Sequence, residues 1–397
     1  MGRGPVVGDL RVQRIGCPDG GWSFTIVWPD GAVHAEADGF LRGHEGSGTQ
    51  RTYSFVLVDH LRWVERECLS FDGVTLRDLE RYMGLVGADV RMPLGEPWRA
   101  GKRPYGRSAL SSAAACLKGF YLHLASLGVN AGLGERLDRT RLPSRQDRRR
   151  AFLGRVTSVM PANPLAPRGP HRRHPKMLPD GARHKLLEAV SASRDKLVVT
   201  WLADGGLRIG ELCGLHLADL HLRENAACGQ CPAPHLHICH RPGNPNRAAA
   251  KARHPWRTEQ ETVTGGLIRR VSPAMIHAYF DYITAEYPGQ PGHQMLLVQL
   301  HGERAGQHPA GRIRRPRLAR RMLARAGRRA GLGVVRPHAF RHSFASAVLD
   351  AAGGNLLIAR DAGGWASAAT VDEVYGHADL RDPAFDAALR AVWGETP

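Results

Sequence analysis

Apolar and polar positions change their spacing several times along the 397-residue chain, and each change predicts a different element. "LRVQRIG" and "WSFTIVWPDGAVHAEA", within residues 1 to 40, alternate in part and carry a Pro29-Asp30-Gly31 turn, which predicts a small β-hairpin extension. From about 41 to 130 the spacing turns helical in "TYSFVLVDHLRWVERECL", "TLRDLERYMGLV" with Thr75 as its cap, and "SALSSAAACLKGFYLHLASLGV" from about Ser108. These predict a small helical bundle. Residues 131 to 175, with "ERLDRTRLPSRQDRRRAF" and "PANPLAPRGPHRRHPKMLP", are rich in Pro and Arg and nearly aperiodic, as a linker would be.

Beyond it, residues 176 to 397 predict a second domain. "ARHKLLEAVSA", "DKLVVTWLADGG" and "LRIGELCGLHLADL" read as helices, "HLHICHR" and "QETVTGGLIRRVSP" as strands, and 273–286, 316–330, 337–352, 355–362 and 370–376 again as helices. The expected fold class is therefore mainly α with a small sheet: an α+β domain preceded by a helical one. A chain of this length is ample for two cores.

Charge changes the picture. The formal net charge is +18, and arginine carries the excess, since the only lysines are Lys102, Lys118, Lys176, Lys185, Lys196 and Lys251. A polyanionic partner follows, although a GC-rich genome also raises arginine content. Seven scattered cysteines argue against a disulfide framework. No apolar run reaches the ~18 residues of a membrane span, and "MGRGPVVGDL" lacks the apolar core of a signal peptide, so a cytoplasmic protein is expected.

The candidate chemistry lies in the second half. A helix starting after Gly205-Gly206 places Arg208 and Glu211 on one face, and Lys251 sits on the polar stretch between two strand-like segments. Pro337 suits a first helical turn, with His338 and Arg341 three residues apart on one face. Asn355 caps the next helix, and Thr370 and Glu373 have capping-box spacing just before Tyr375. Short helices joined by glycines are expected to bring Arg341, Trp365 and Tyr375 together.

"GLRIGEL" at 206–212, "HAFRH" at 338–342, "GGW" at 363–365 and "VYGH" at 374–377, in this order, resemble the tyrosine recombinases, or phage-integrase family. The likeness is close from about 176 to 390 and looser over 47 to 130, which corresponds to the family's core DNA-binding domain. It implies that Arg208 and Arg341 grip a scissile phosphate with help from His338, that Tyr375 attacks phosphorus, and that Lys251 protonates the departing 5′ oxygen. Trp365 stands where many members have histidine, and its indole N–H can donate to a phosphate oxygen. Glu211 is implied to orient the pocket, while His342 is expected to do structural work as a satisfied polar group beneath the site.

Two guanidiniums suit this chemistry because negative charge spreads over the equatorial oxygens as the nucleophile enters. The phosphotyrosine conserves the ester for resealing, so the scheme needs no ATP, metal or other cofactor. The resemblance also implies a C-shaped clamp on double-stranded DNA, a homotetramer on synapsed sites and possible accessory recombination proteins, in a nucleoid-associated bacterial setting. A type IB topoisomerase-like activity and a non-enzymatic DNA-binding regulator are the competing readings.

Three further segments carry expectations. Nine arginines lie between 312 and 329, and Arg312, Arg314, Arg315, Arg317, Arg320 and Arg321 are candidates to track phosphates from a helix whose Leu318, Met322 and Ala326 face inwards. "CGQC" at 228–231, followed by His235, His237, Cys239 and His240, invites a zinc reading, but no second pair stands at finger spacing, so no metal is assigned. Finally, Phe385, Leu389 and Trp393 have helical spacing and could dock on a neighbouring protomer or on their own domain.

Overall fold

A computed structural model describes residues 10–18, 22–87, 103–143, 159–167, 176–241, 243–246, 248, 250, 251, 254–259, 262–288, 293–300, 315–365, 367, 368 and 371. The architecture is mainly helical with small sheets, as expected, and divides into two compact units, Met1–Arg172 and Arg173–Pro397. All seven cysteines are unbridged. Among the described residues, no helix is long and apolar enough to cross a membrane.

The first unit opens with the antiparallel hairpin β1 (Arg11–Gly16) and β2 (Trp22–Val27). The reversal lies between Gly16 and Trp22, so the Pro29-Asp30-Gly31 turn is a second one. It leads from β2 to a Val27–Val33 bridge, and Gly31 adopts φ +90° while donating to the Trp28 carbonyl at 3.0 Å. Leu10 and Ile26 are fully buried in the same core as the helices that follow, α1 (Ala35–Arg42), α2 (Gly48–Arg66), α3 (Leu76–Gly87) and α4 (Arg107–Ser126). Thr75 caps α3 reciprocally: its Oγ1 accepts from the Asp78 amide at 3.3 Å while its own amide donates to Asp78 Oδ2 at 2.9 Å.

The Pro/Arg-rich passage holds more structure than its composition suggests. Asn130, in the left-handed region at φ 55°, caps α5 (Ala131–Leu137) and ties it to the Phe71 and Val74 carbonyls at 2.9 and 2.8 Å. Strands β3 (Thr140–Arg141) and β4 (Met160–Pro161) pair, and Leu133, Leu137 and Leu165 complete the core. Leu133 and Leu137 stand one helical turn apart on α5, whereas Leu165 lies far along the chain and joins the same core only in the tertiary structure.

In the second unit α6 (Ala182–Glu188) and α7 (Ser193–Gly205) lead into the short α8 (Ile209–Cys213). The antiparallel sheet runs β5 (Leu220–His221), β6 (His235–Ile238), β9 (Leu267–Arg270), with β7 (Trp256–Glu259) and β8 (Thr262–Gly265) forming a separate hairpin. The helices α9 (Pro273–Ala285), α10 (Pro316–Arg329), α11 (Pro337–Ala351) and α12 (Leu356–Gly363) follow. Every residue from Leu197 to Leu202 on α7 is buried, and the Trp201 indole donates to the Met275 carbonyl at 2.9 Å, locking α7 against α9. Full burial of each Leu or Val here contributes about 1.5–3 kcal/mol over exposure.

Two expectations shift. The helix expected directly after Gly205-Gly206 starts at Ile209, leaving Arg208 outside as its cap. On α10 the buried residues are Ala319, Met322, Leu323, Ala326 and Gly327, so Met322 and Ala326 face inwards as expected while Leu318 is only half-buried. The helices expected at 370–376 and around Phe385, Leu389 and Trp393 lie outside the described residues, apart from buried Val371.

Candidate active site

The end of α7 organises the site. The last four carbonyls of a helix lack partners within it and lie at the negative end of its dipole. Here the carbonyls of Gly205, the last helical residue, and of Gly206, its cap, accept from two arginines: Arg269 Nη2 from β9 bonds Gly205, and Arg341 Nη1 from α11 bonds Gly206 at 2.9 Å. Both side chains are almost completely buried, at 4% and 1% exposure. Gly206 has φ +56°, and a Cβ there would lie 2.3 Å from Phe344 Cδ1, so this turn requires glycine both for its backbone angle and for space.

Two residues on, Arg208 bonds Glu211 through its amide (2.8 Å to Oε2) and its guanidinium (2.6 Å from Nη1 to Oε1). Glu211 is buried, at 3%, whereas Arg208 keeps an exposed edge. This ion pair is therefore a post that aims Arg208 rather than a surface pair. Burial pulls Arg269 down to about 10 in spite of the nearby Glu211 carboxylate, and the charge of Arg208 adds to the depression.

His338 stands in the first turn of α11. Partial desolvation and then the charges of Arg341, Arg208 and Lys251 all push its pKa below the ordinary imidazole value. Residues widely separated in sequence thus act on one imidazole. His342, one turn on, meets it edge to face at 4.3 Å; desolvation, then His338 and Arg341, lower it to about 4. Both rings are neutral near pH 7.

Trp365 closes one side. The Arg341 guanidinium carbon lies 4.0 Å from the centre of its ring, within cation–π distance. The "GGW" glycines make this possible. A Cβ on Gly363 would collide with the Trp365 ring at 1.3 Å, and one on Gly364, at φ +63°, would meet Leu267 Cδ2 at 2.6 Å and Arg269 Nη1 at 3.0 Å.

The fold thus gathers Arg208, Lys251, His338, Arg341 and Trp365, with Glu211 bonded to Arg208 and His342 packed against His338. Arg208, Lys251 and Arg341 lie near His338, and Arg208 and Arg269 lie near the Glu211 carboxylate, a set of positive charges suited to an anion. Tyr375 lies outside the described residues, as do Arg312 and Arg314. Arg315, Arg317, Arg320 and Arg321 are exposed at the start and on the outer face of α10. Sequence reasoning missed Arg269; its one signal is a place in register with Leu267 on a strand, where a charged residue on an inward face needs a partner.

Residues 270–381 match the model of the phage integrase family. Transposase A from transposon Tn554 of Staphylococcus aureus (strain Mu50 / ATCC 700699) is 28% identical over 116 residues, 29% of this chain and 27% of that protein. Tyrosine recombinase XerC of Thermodesulfovibrio yellowstonii is 26% identical over 216 residues, 53% of this chain and 60% of its own. The chain thus spans less than two thirds of these curated relatives. Among solved structures, the Tn1549 transposon integrase in complex with transposon right end DNA gives a TM-score of 0.55 at 14% identity, covering 90% of this chain and 98% of that one. The XerH site-specific recombinase bound to palindromic difH substrate gives 0.52 at 14%, covering 87% and 80%. At these identities the structural likeness is one of fold.

Proposed function

We propose that this chain, a tyrosine recombinase by family, performs site-specific recombination of double-stranded DNA (integration, excision or transposition) through a covalent 3′-phosphotyrosyl link at Tyr375. The observation that carries the reading is the convergence of Arg208, Lys251 and Arg341 on His338. A phosphodiester seated between the exposed edge of Arg208 and Arg341 receives donors on two equatorial oxygens, and the arrangement is held in advance by Glu211 and the Gly206 carbonyl.

In the proposed step the Tyr375 oxygen bonds to phosphorus and the bond to the 5′ oxygen breaks. Neutral His338 is suited to accept the proton that Tyr375 releases, and Lys251 supplies one to the departing oxygen. A 5′-hydroxyl from a second strand then reverses the step and frees Tyr375. Arg315, Arg317, Arg320 and Arg321, with Arg312 and Arg314, hold phosphates beyond the scissile one. A homotetramer on synapsed sites, helped by accessory proteins, performs the exchange in the cytoplasm at the nucleoid.

The test is a nicked suicide duplex carrying the ends of the chain's own mobile element, incubated with the protein in EDTA. A covalent protein–DNA adduct is expected, lost in Tyr375→Phe and reduced by about 100-fold or more in Arg208→Ala or Arg341→Ala. An adduct that survives Tyr375→Phe, or one strictly dependent on added Mg²⁺, overturns the mechanism. Specific binding without any adduct favours the regulator reading.

A further inference from the structure

Away from the catalytic residues, the small sheet brings together four side chains of metal-ligating type. We propose that His221, Cys228, His235 and His237 form a closed tetrahedral zinc site. One ligand atom from each lies within 4.8 Å of all the others. His221 ends β5, His235 and His237 share one face of β6, and Cys228 comes from the connection between these strands. This inference is independent of the recombination reading.

The hydrogen bonds orient the imidazoles for a metal. His235 Nδ1 stands 2.7 Å from the Ala233 carbonyl and His237 Nδ1 2.6 Å from that of Gly265. A carbonyl only accepts, so each Nδ1 carries the proton and each Nε2 presents a lone pair. His235 Nε2 points at Cys228 Sγ, 3.1 Å away. The Nε2 atoms of His221 and His237 are buried without a hydrogen-bond partner among the described residues. The three rings crowd at centroid distances of 4.7 to 5.1 Å, and His235 and His237 are fully buried.

A structural histidine in a core pairs its nitrogens, because a buried polar atom left unpaired loses its hydration without compensation. Two such atoms converging beside a thiol therefore call for a shared partner. A tetrahedral ion at about 2.0–2.3 Å from each ligand would set the four atoms about 3.3–3.8 Å apart, a modest contraction of the widest pairs and a slight widening of the 3.1 Å Cys228–His235 pair. One sulfur and three imidazole nitrogens suit zinc and not the oxygen-seeking Mg²⁺ or Ca²⁺.

The connection is already shaped to deliver its cysteine. Asn225 donates to the Pro232 carbonyl at 2.7 Å, Gly229 to that of Ala226 at 3.0 Å, and the Gly265 amide to Gln230 Oε1 at 2.8 Å. The other candidates from the same segment point elsewhere: Cys239 lies by Asp219 and Arg241, and His240 Nδ1 bonds the Ala250 carbonyl at 2.7 Å. Cys231 is not one of the gathered ligands. The absence of a second cysteine pair, which argues against a metal in the sequence, is answered by His221 from the neighbouring strand. With four protein ligands the site is structural. It would tie β5 and β6 to the end of β8, whose Gly265 packs against Pro255, a few residues beyond Lys251.

The test uses untagged full-length protein, loaded with Zn²⁺ or Co²⁺, passed through gel filtration and assayed by elemental analysis and absorption. About one equivalent per chain is expected. The Co²⁺ form should show a thiolate-to-metal charge-transfer band that Cys228→Ser abolishes and Cys231→Ser keeps. Should Cys228→Ser not fold, alkylation of the wild type read by mass spectrometry replaces it: Zn²⁺ should protect Cys228, and chelation should expose it. The proposal fails if loaded wild type retains less than about a tenth of an equivalent. It also fails if the band survives Cys228→Ser, or if zinc protects Cys231 and not Cys228.

Discussion

Arg341 lies face-on against Trp365, its guanidinium carbon 4.0 Å from the ring centre, while Nη1 of the same group is anchored 2.9 Å from the Gly206 carbonyl. The indole thus acts on the arginine, a role separate from the N–H donation to a phosphate oxygen that the resemblance implies. A ring against a cation is worth about 0.5–2 kcal/mol, so Trp365→Ala should slow single-turnover strand cleavage by roughly 2- to 30-fold. Trp365→Phe separates the two roles. Near-normal cleavage in that variant assigns Trp365 to holding Arg341; a defect as large as that of Ala assigns it to N–H donation.

Gly206→Ala should be far more damaging than Gly181→Ala. Both positions have positive φ, +56° and +71°, but a Cβ at Gly181 meets open space while one at Gly206 meets the Phe344 ring at 2.3 Å. Strain alone predicts about 1 kcal/mol for the first; strain with collision predicts about 3 kcal/mol or more for the second. Urea unfolding of the two variants checks this, and equal losses would refute it.

His60 supplies an acid-labile element in the first unit. Burial lowers it to about 3, and its Nε2 lies 2.9 Å from the Tyr121 hydroxyl. The unfolded chain takes up a proton near pH 6.5, which the folded unit refuses until about pH 3. Its contribution is therefore complete above pH 6.5 and declines as the pH falls towards 3, by up to about 1.4 kcal/mol per unit. Thermal melts of wild type and His60→Gln from pH 7 to 4 should converge as pH drops; parallel curves would refute the assignment.

The outer face of α10 should set salt dependence rather than chemistry. Arg317, Arg320 and Arg321 are exposed there. Replacing all three by Ala should lower the slope of log K against log salt by about 0.9 for each phosphate no longer neutralised, with little change in sequence preference. An unchanged slope in filter-binding or fluorescence titrations would remove this face from the DNA-binding surface.

Much of the fold is legible in the sequence because its signals are local. The Thr75–Asp78 cap, Pro337 opening α11 and Asn355 capping α12, with its Oδ1 accepting from Leu357 and Ile358, each act within one turn. The Arg208–Glu211 pair is also local, at a spacing of three. The start of α8 lies later than its spacing suggests, because Glu211, inside the first turn, reaches back to accept from the Arg208 amide and fixes Arg208 as the cap. Leu165 is unreadable as core, since it stands in an aperiodic Pro-rich stretch, while the Leu133–Leu137 pair of α5 is too short a pattern to stand out from its charged surroundings.

The residues by themselves determined the order of the elements, the positions of their caps and the set of cations available to a phosphate, because those properties depend on neighbours within a turn or on composition. The tertiary structure decided which carbonyls anchor those cations, with Arg341 reaching back 135 residues to Gly206 and Arg269 reaching 64 to Gly205. It also decided that His221 joins Cys228, His235 and His237. Such pairings follow from the packing of helix ends and strand edges, where burial makes each unsatisfied polar atom costly, and no local period in the chain encodes them.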